Sequence, residues 1–336
     1  MKKEAIAALK ELLVQPKKIA IIPHRSPDGD AMGSTLAMYH FLLKWGHIPT
    51  VISPNDFPSF LAWMPGSNKV MVFENNKLEC TEILQNAELI FVLDFNALHR
   101  TGEMEQVLSK LTVPFAMIDH HQAPDDFATF MYSETSIGST CEMIYNFIEF
   151  LDKKEWIDTT IATCLYTGIT TDSGSFRFPS TTSRTHRIVA DLIDRGINNS
   201  NIHRELFDNN SFQSLQLLGR ALQNMKVFTE YKIAFTHLSQ KELDLFEYQK
   251  GDTEGIVNYG LSIKGVHLAV IFIEHKDENI IKISFRSQGS FDVNQLARNH
   301  FHGGGHINAA GGKSYESLNK TIKKFELLMP TLNIQL

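Results

Sequence analysis

Apolar positions along the chain follow two rhythms. Short unbroken runs rich in β-branched and aromatic residues, at 19–22, 49–52, 69–73, 88–95 and 114–118, predict strands buried on both faces. Between them, apolar residues recur at helical spacing, which predicts helices over 1–13, 31–45, 78–86, 101–111, 138–151 and 158–170. Strand alternating with helix predicts an α/β fold, a mostly parallel sheet with helices on both faces. The segment 184–226 carries only helical patterns, at 186–195 and 201–225, and reads as a helical linker. From 227 onward the rhythm changes again, with strand-like runs at 231–236, 267–274 and 280–287, a helical piece at 252–261 and a glycine-rich stretch at 303–312. A smaller C-terminal α/β domain fits, so the expected boundaries are 1–190, 191–228 and 229–336.

The polar residues that interrupt the first pattern are not scattered. His24, Asp28 and Asp30 follow the first strand, Asp94 ends the run ELIFVLDF, and Asp119, His120 and His121 close the strand at 114–118. Asp172 ends the helix begun at 158. Singly, each has an ordinary explanation, since Asp-Gly makes turns and aspartate caps helices. Together they fall where a parallel sheet places the carboxyl ends of its strands, the edge where open α/β sheets bind ligands. Asp28, Asp30, Asp94 and Asp172 supply enough negative charge for two divalent cations, and His24 and His120 add neutral nitrogen donors. Carboxylate with imidazole suits manganese, iron, cobalt or zinc better than calcium. Two such ions a few ångströms apart are a common device for cleaving phosphate esters.

The glycine-rich end has its own chemistry. Gly303, Gly304 and Gly305 allow close backbone approach to a ligand, and their N–H groups are candidates to cradle a phosphate, with His306 beside them. Ala309, Ala310 and Gly311 predict close helix packing. Arg100 and Arg177 each read either as a site residue or as a surface residue, and core packing is the default for Phe228, Tyr231 and Tyr259.

Composition narrows the function. At 336 residues, 43% hydrophobic and 21% charged, the chain can build two cores. A net charge of −6 argues against coating long nucleic acid, which takes many Lys and Arg contacts to phosphate, but leaves room for a short anionic substrate. Three widely spaced cysteines without a CxxC pair argue against structural zinc and a disulfide framework. The N-terminus lacks a signal-peptide core, and no run is apolar enough to span a membrane, so a cytoplasmic location is expected.

The ordered set HRSPDGDAMGS, Asp94, Asp119-His120-His121 and Asp172, ending in HGGGHINAAGG, resembles the DHH phosphoesterase superfamily with a C-terminal DHHA1 domain. The resemblance implies that His24, Asp28 and Asp94 hold one Mn²⁺, and that Asp30, Asp94, His120 and Asp172 hold a second, with Asp94 bridging. It implies that His121 faces the substrate phosphate with Asp119 supporting the histidines, and that Arg286, Gly303, Gly304, Gly305 and His306 contact substrate; Arg100 is a further candidate contact read from the residues alone. The family usually has a glycine where this chain has His302. The implied activity is hydrolysis of short oligoribonucleotides and of 3′-phosphoadenosine 5′-phosphate (pAp), by two-metal activation of a bridging hydroxide. Cyclic or linear di-adenylate is the alternative substrate, and a catalytically dead nucleotide sensor the reading from another class. A homodimer, and a cleft that closes on substrate, are compatible with this sequence.

Overall fold

The computed structural model describes residues 3–334. The chain folds as two compact units, the first ending at Asn209 and the second beginning at Asn210.

In the first unit, β1 (Lys18–Ile22), β2 (Ile48–Ser53), β3 (Met71–Val72), β4 (Leu89–Leu93), β5 (Phe115–Asp119) and β6 (Phe130–Ser133) form one sheet in the order β3-β2-β1-β4-β5-β6. Every pairing in it is parallel. Side chains alternate across a strand, so each of these apolar runs feeds two cores. Ile19, Ile21, Leu89, Phe91 and Leu93 pack on one face, with Met32, Leu36, Phe147 and Leu165. Ala20, Ile22, Ile90 and Val92 pack on the other, with Cys80, Leu84 and Met104. The helices are α1 (Lys3–Leu12), α2 (Gly29–Lys44), α3 (Lys77–Gln85), α4 (Glu105–Leu108), α5 (Thr140–Phe150), α6 (Thr159–Asp172), α7 (Ser183–Asp194) and α8 (Asn199–Phe207). Among the described residues, no helix is long and apolar enough to cross a membrane.

Three of these helices touch almost backbone to backbone. A Cβ on Gly33 of α2 would stand 2.6 Å from the Cys164 carbonyl oxygen of α6. One on Gly168 of α6 would stand 2.2 Å from Cys141 Sγ and 2.7 Å from Asp30 Oδ1. Glycine at these positions lets α2, α5 and α6 converge below the carboxyl edge of the sheet.

Some elements differ from their sequence expectation. The helix expected over 101–111 is a 3₁₀ segment, Leu98–Met104, interrupted at Gly102 (φ 61°, ψ −129°), followed by the single turn of α4. The edge strand β6 has no counterpart among the expected strands, because its four residues are mostly half-buried and carry no strong apolar run. The helix expected over 201–225 is two: α8 stops at Phe207, and α9 (Phe212–Gln223) starts afresh behind Ser211, whose hydroxyl accepts from the Ser214 amide. The polar stretch Asp208-Asn209-Asn210-Ser211 supplies the break that the apolar periodicity hides. It is also where one unit ends and the other begins, so the segment that reads as a linker gives α8 to one unit and α9 to the other.

The second unit pairs β7 (Lys226–Phe228), β8 (Ile233–Leu238), β9 (Leu268–His275), β10 (Ile280–Ser287), β11 (Gly304–Gly305) and β12 (Ala309–Ser314) in the order β11-β12-β10-β9-β8-β7. Only β8 and β9 run parallel. Its helices are α10 (Gln240–Leu245), α11 (Ile256–Leu261), α12 (Val293–His300) and α13 (Leu318–Leu328), and Phe235, Phe272, Phe285, Phe301 and Phe325 fill one core. Ala309, Ala310 and Gly311, expected to pack helices, are strand residues paired to β10 with Ala309 opposite Arg286. Pairing decides the outcome here, because a run of alanine and glycine carries no alternation to announce a strand.

Candidate active site

The first unit gathers all of the strand-end residues into one cluster. Asp28 is the N-cap of α2, and its Oδ1 accepts from the amides of Asp30 and Ala31 at 3.0 and 3.1 Å. That leaves Oδ2 facing His24 Nε2 at 3.8 Å. His24 Nδ1 lies 2.9 Å from the Arg25 carbonyl. A carbonyl only accepts, so Nδ1 carries a hydrogen, and Nε2, the nitrogen left for a metal when the ring is neutral, is turned toward Asp94 Oδ2, 3.5 Å away. His120 repeats this arrangement. Its Nδ1 lies 3.2 Å from the Ile137 carbonyl, while Nε2 lies 3.3 Å from Asp172 Oδ2, 3.4 Å from Asp94 Oδ1 and 3.9 Å from Asp30 Oδ2.

Two carboxylates depend on the start of α5. The amides of Thr140 and Cys141 donate to Asp30 Oδ2 and Oδ1 at 2.6 and 2.9 Å, and the Thr140 hydroxyl donates to Asp94 Oδ1 at 2.9 Å. Nothing in the sequence singles out Thr140, since a threonine opening a helix looks like any other. Asp94 itself sits at φ 65°, in the left-handed region that non-glycine residues seldom occupy. Strain of this kind persists where surrounding contacts over-determine it, as at binding sites. Asp119 is fully buried and holds His121 twice, through the ring Nδ1 at 2.7 Å and the backbone amide at 2.9 Å.

The donors fall into sets whose atoms lie within 4.8 Å of one another: His24 with Asp28 and Asp94, Asp30 with His120 and Asp172, and Asp94 with Asp119 and His121. Nitrogen lone pairs fixed by backbone carbonyls, set among buried carboxylates, are a donor set that fits divalent transition metals.

Electrostatics within the cluster lead to the same chemistry. Burial pushes Asp30 well above the ordinary carboxylate range, and Asp94 and Asp172 push it further. Burial likewise raises Asp172 to about 6. Burial also works against ionised Asp94, but hydrogen bonds from His120 and His24 prevail and hold it well below the usual range. The two histidines end above their ordinary value, because Asp94 with Asp172 or Asp28 outweighs their own burial. His121 is lowered by burial and by the charge of Arg100. Without a cation, protons do part of the neutralising, and a metal must displace them. Metal affinity is therefore expected to fall at least tenfold from pH 7 to pH 6 as these groups take up protons. Titration calorimetry with Mn²⁺ in buffers of differing ionisation enthalpy measures both the affinity and the protons released. A flat affinity across this range would rule out these histidines and Asp172 as ligands.

In the first unit, Arg100 lies on the 3₁₀ segment, half-buried, with its charge felt at both His24 and His121. The other expected substrate residues lie in the second unit. Arg286 on β10 is opposite Ala309, whose carbonyl accepts from the His306 amide at 2.7 Å. The amides of Gly303 and Gly305 donate within the fold, to the Ala297 carbonyl at 3.2 Å and to Asn294 Oδ1 at 3.0 Å. The phosphate cradle expected of those two amides is thus spent on structure. Their requirement for glycine is steric: a Cβ on Gly303 would stand 1.9 Å from the Gly311 carbonyl oxygen, and one on Gly305 would stand 2.5 Å from that of Ala309. Gly304 differs, with ordinary space above it and the Arg298 guanidinium alongside, 3.6 Å from where a Cβ would be. Asn294 Oδ1 accepts from Arg298 Nε as well as from the Gly305 amide. Sequence reasoning passes over both Asn294 and Arg298, which look like ordinary polar positions of a helix.

A parallel α/β sheet with imidazoles and carboxylates at its carboxyl edge, followed in the chain by a glycine-looped second unit, defines a class of phosphoric ester hydrolase. The chain belongs to the DHH family: residues 18–169 match its N-terminal domain, and residues 238–329 match the DHHA1 domain. It is similar to the bifunctional oligoribonuclease and PAP phosphatase NrnA of Bacillus subtilis, 32% identical over 201 residues, a match covering 59% of this chain and 62% of that protein. The protein of the same description from Mycoplasma genitalium is 30% identical over 320 residues, 93% of each chain. Among solved structures, an exopolyphosphatase-related protein from Bacteroides fragilis superposes with a TM-score of 0.93 at 38% identity, covering 99% of this chain and 98% of that one. The chain is accordingly a phosphoric ester hydrolase.

Proposed function

We propose that the protein is a Mn²⁺-dependent phosphoesterase that hydrolyses short oligoribonucleotides and pAp. The observation that carries this reading is the pair of three-donor sets, one from His24, Asp28 and Asp94 and the other from Asp30, His120 and Asp172, with Asp94 facing both histidines. In this reading Asp94 serves both ions. When bound, the two cations supply Lewis-acid activation of a water and neutralise charge on the phosphoryl group. The protein's own part is positional. The Arg25 and Ile137 carbonyls fix the tautomers of His24 and His120. Asp119 keeps the Nδ1 hydrogen of His121 engaged, so that His121 Nε2 is turned toward the substrate phosphate. Arg100 contributes positive charge next to these groups. In the second unit, Arg286, Arg298 and His306 take a nucleotide's phosphate, with Gly304 allowing close approach. A guanidinium pairs with phosphate through two parallel hydrogen bonds, which favours arginine in this role. The net charge of −6 fits short substrates, because only a few local cations are needed.

The test is product release by the purified protein in Mn²⁺ from pAp, a 5′-phosphorylated trinucleotide, linear di-adenylate and cyclic di-AMP, side by side. Turnover of pAp and the trinucleotide at least tenfold faster than of the cyclic compound is the expected result. Preferential opening of cyclic di-AMP would replace this reading with a cyclic-dinucleotide phosphodiesterase.

A further inference from the structure

The segment that leaves the cluster after Asp172 is strained along its backbone. Gly174, Ser175 and Phe176 have φ of 56°, 58° and 66°, three successive residues in the left-handed region, two of them with side chains. A side chain held there crowds the following carbonyl, so each such non-glycine residue is strained. Ending a helix does not require this, since one left-handed residue suffices. Hydrogen bonds hold the turn closed. The Ser175 amide donates to the Thr170 carbonyl at 2.8 Å, and the amides of Arg177 and Phe178 donate to the Ser173 carbonyl at 2.9 and 3.0 Å. The Phe176 amide donates to Ser173 Oγ at 2.9 Å, and its ring packs beside Tyr166 and His186.

The result is a hydrogen-bonded turn that brings the Arg177 backbone within one hydrogen bond of Ser173, the neighbour of Asp172. Arg177 is exposed, and its Nε donates to the Gly174 carbonyl at 2.7 Å. That bond fixes the plane of the guanidinium and leaves its two terminal Nη groups available. The place matters as well. The side chains of Asp94 and Asp30 are 3% and 0% exposed, whereas those of Asp172 and Asp28 are 25% and 43% exposed. Solvent therefore reaches the cluster on the side where this turn begins. Carboxylates there repel any phosphate not held by a cation, and an ordered arginine is the side chain best suited to offset them.

We propose that Arg177 binds a second, non-scissile phosphate of the substrate, and that the left-handed turn 174–176 exists to present it. This rests on the nucleotide reading above and deepens it: the preferred substrates carry two or more phosphates. The test is equilibrium binding by titration calorimetry, with Ca²⁺ replacing Mn²⁺ so that ligand is not consumed, using pAp and adenosine 5′-monophosphate as probes. Arg177→Ala is expected to weaken pAp binding about ten- to a hundredfold and the monophosphate less than threefold, with Arg177→Lys in between. Equal weakening of both probes, no weakening, or a wild type that binds no pAp would overturn the proposal. The two readings can fail separately. A wild type that binds pAp through Arg177 but cleaves no nucleotide overturns the functional reading alone. A wild type that cleaves pAp while Arg177→Ala binds it unchanged overturns this proposal alone.

Discussion

Asp94→Asn is expected to lower kcat/KM for pAp and short RNA by at least about a thousandfold, and to reduce bound Mn²⁺ from two ions per chain to one or none. Asparagine is the informative replacement. It keeps the shape of the side chain and tolerates φ 65°, so the backbone need not move. It removes the charge that His24 and His120 both face, at 3.5 and 3.4 Å. Among the described residues, no other carboxylate of the cluster lies opposite both imidazoles at such distances. Metal content by plasma spectrometry and circular dichroism on the same sample separate loss of metal from loss of fold. Two bound ions and activity within tenfold of wild type would show that Asp94 does not serve both.

The second large effect is structural. Gly168→Ala puts a methyl group 2.2 Å from Cys141 Sγ, 2.7 Å from Asp30 Oδ1 and 3.0 Å from Asp30 Cα. Sγ cannot simply swing aside, because Cys141 is fully buried at the start of α5, whose amides hold Asp30. Relief requires α6 to back away from α2, and this takes Asp172 away from His120. Destabilisation of about 3 kcal/mol is expected, or about 6–12 °C in Tm, together with loss of metal affinity. Gly219→Ala is the matching control. It lies within α9 with nothing within 4 Å of the new methyl, so helix propensity alone should stabilise the protein by about 1 kcal/mol. Urea melts of the two variants beside wild type check both signs.

These two cases divide what the sequence makes legible from what it does not. Asp94 is conspicuous because a polar residue closes an apolar run, and the same contrast marks His24, Asp119 and His120. A parallel sheet then brings such residues to one edge whatever the details of packing. Gly168 is invisible by comparison: nothing in LYTGITTD says that another helix lies against that glycine. Thr140 and Asn294 are hidden for the same reason, since their roles come from what folds against them. The glycine run at 303–305 is informative about closeness but not about its partner. The near neighbours of Gly303 and Gly305 are the chain's own strand β12, and their amides are bonded inside the fold. Short edge strands such as β6 and the alanine-glycine strand β12 owe their conformation to pairing, which local pattern does not encode.

The start of α5 has a consequence for how the protein is made. Asp30 and Thr140 are 110 residues apart in sequence, and Asp94 and Thr140 are 46 apart. Asp172 comes later still, more than thirty residues after Thr140. While the chain is being synthesised, the early half of the cluster therefore leaves the ribosome well before its partners exist. An incomplete set of donors holds metal weakly, so on the proposed function the cluster gains its full affinity only once these distant partners have come together. Contacts this distant in sequence also form slowly, because the intervening loop must be ordered before it is repaid. On that reading metal selection falls to the finished domain, whose helix packing sets the spacing of the donors, and not to the order in which ligands emerge.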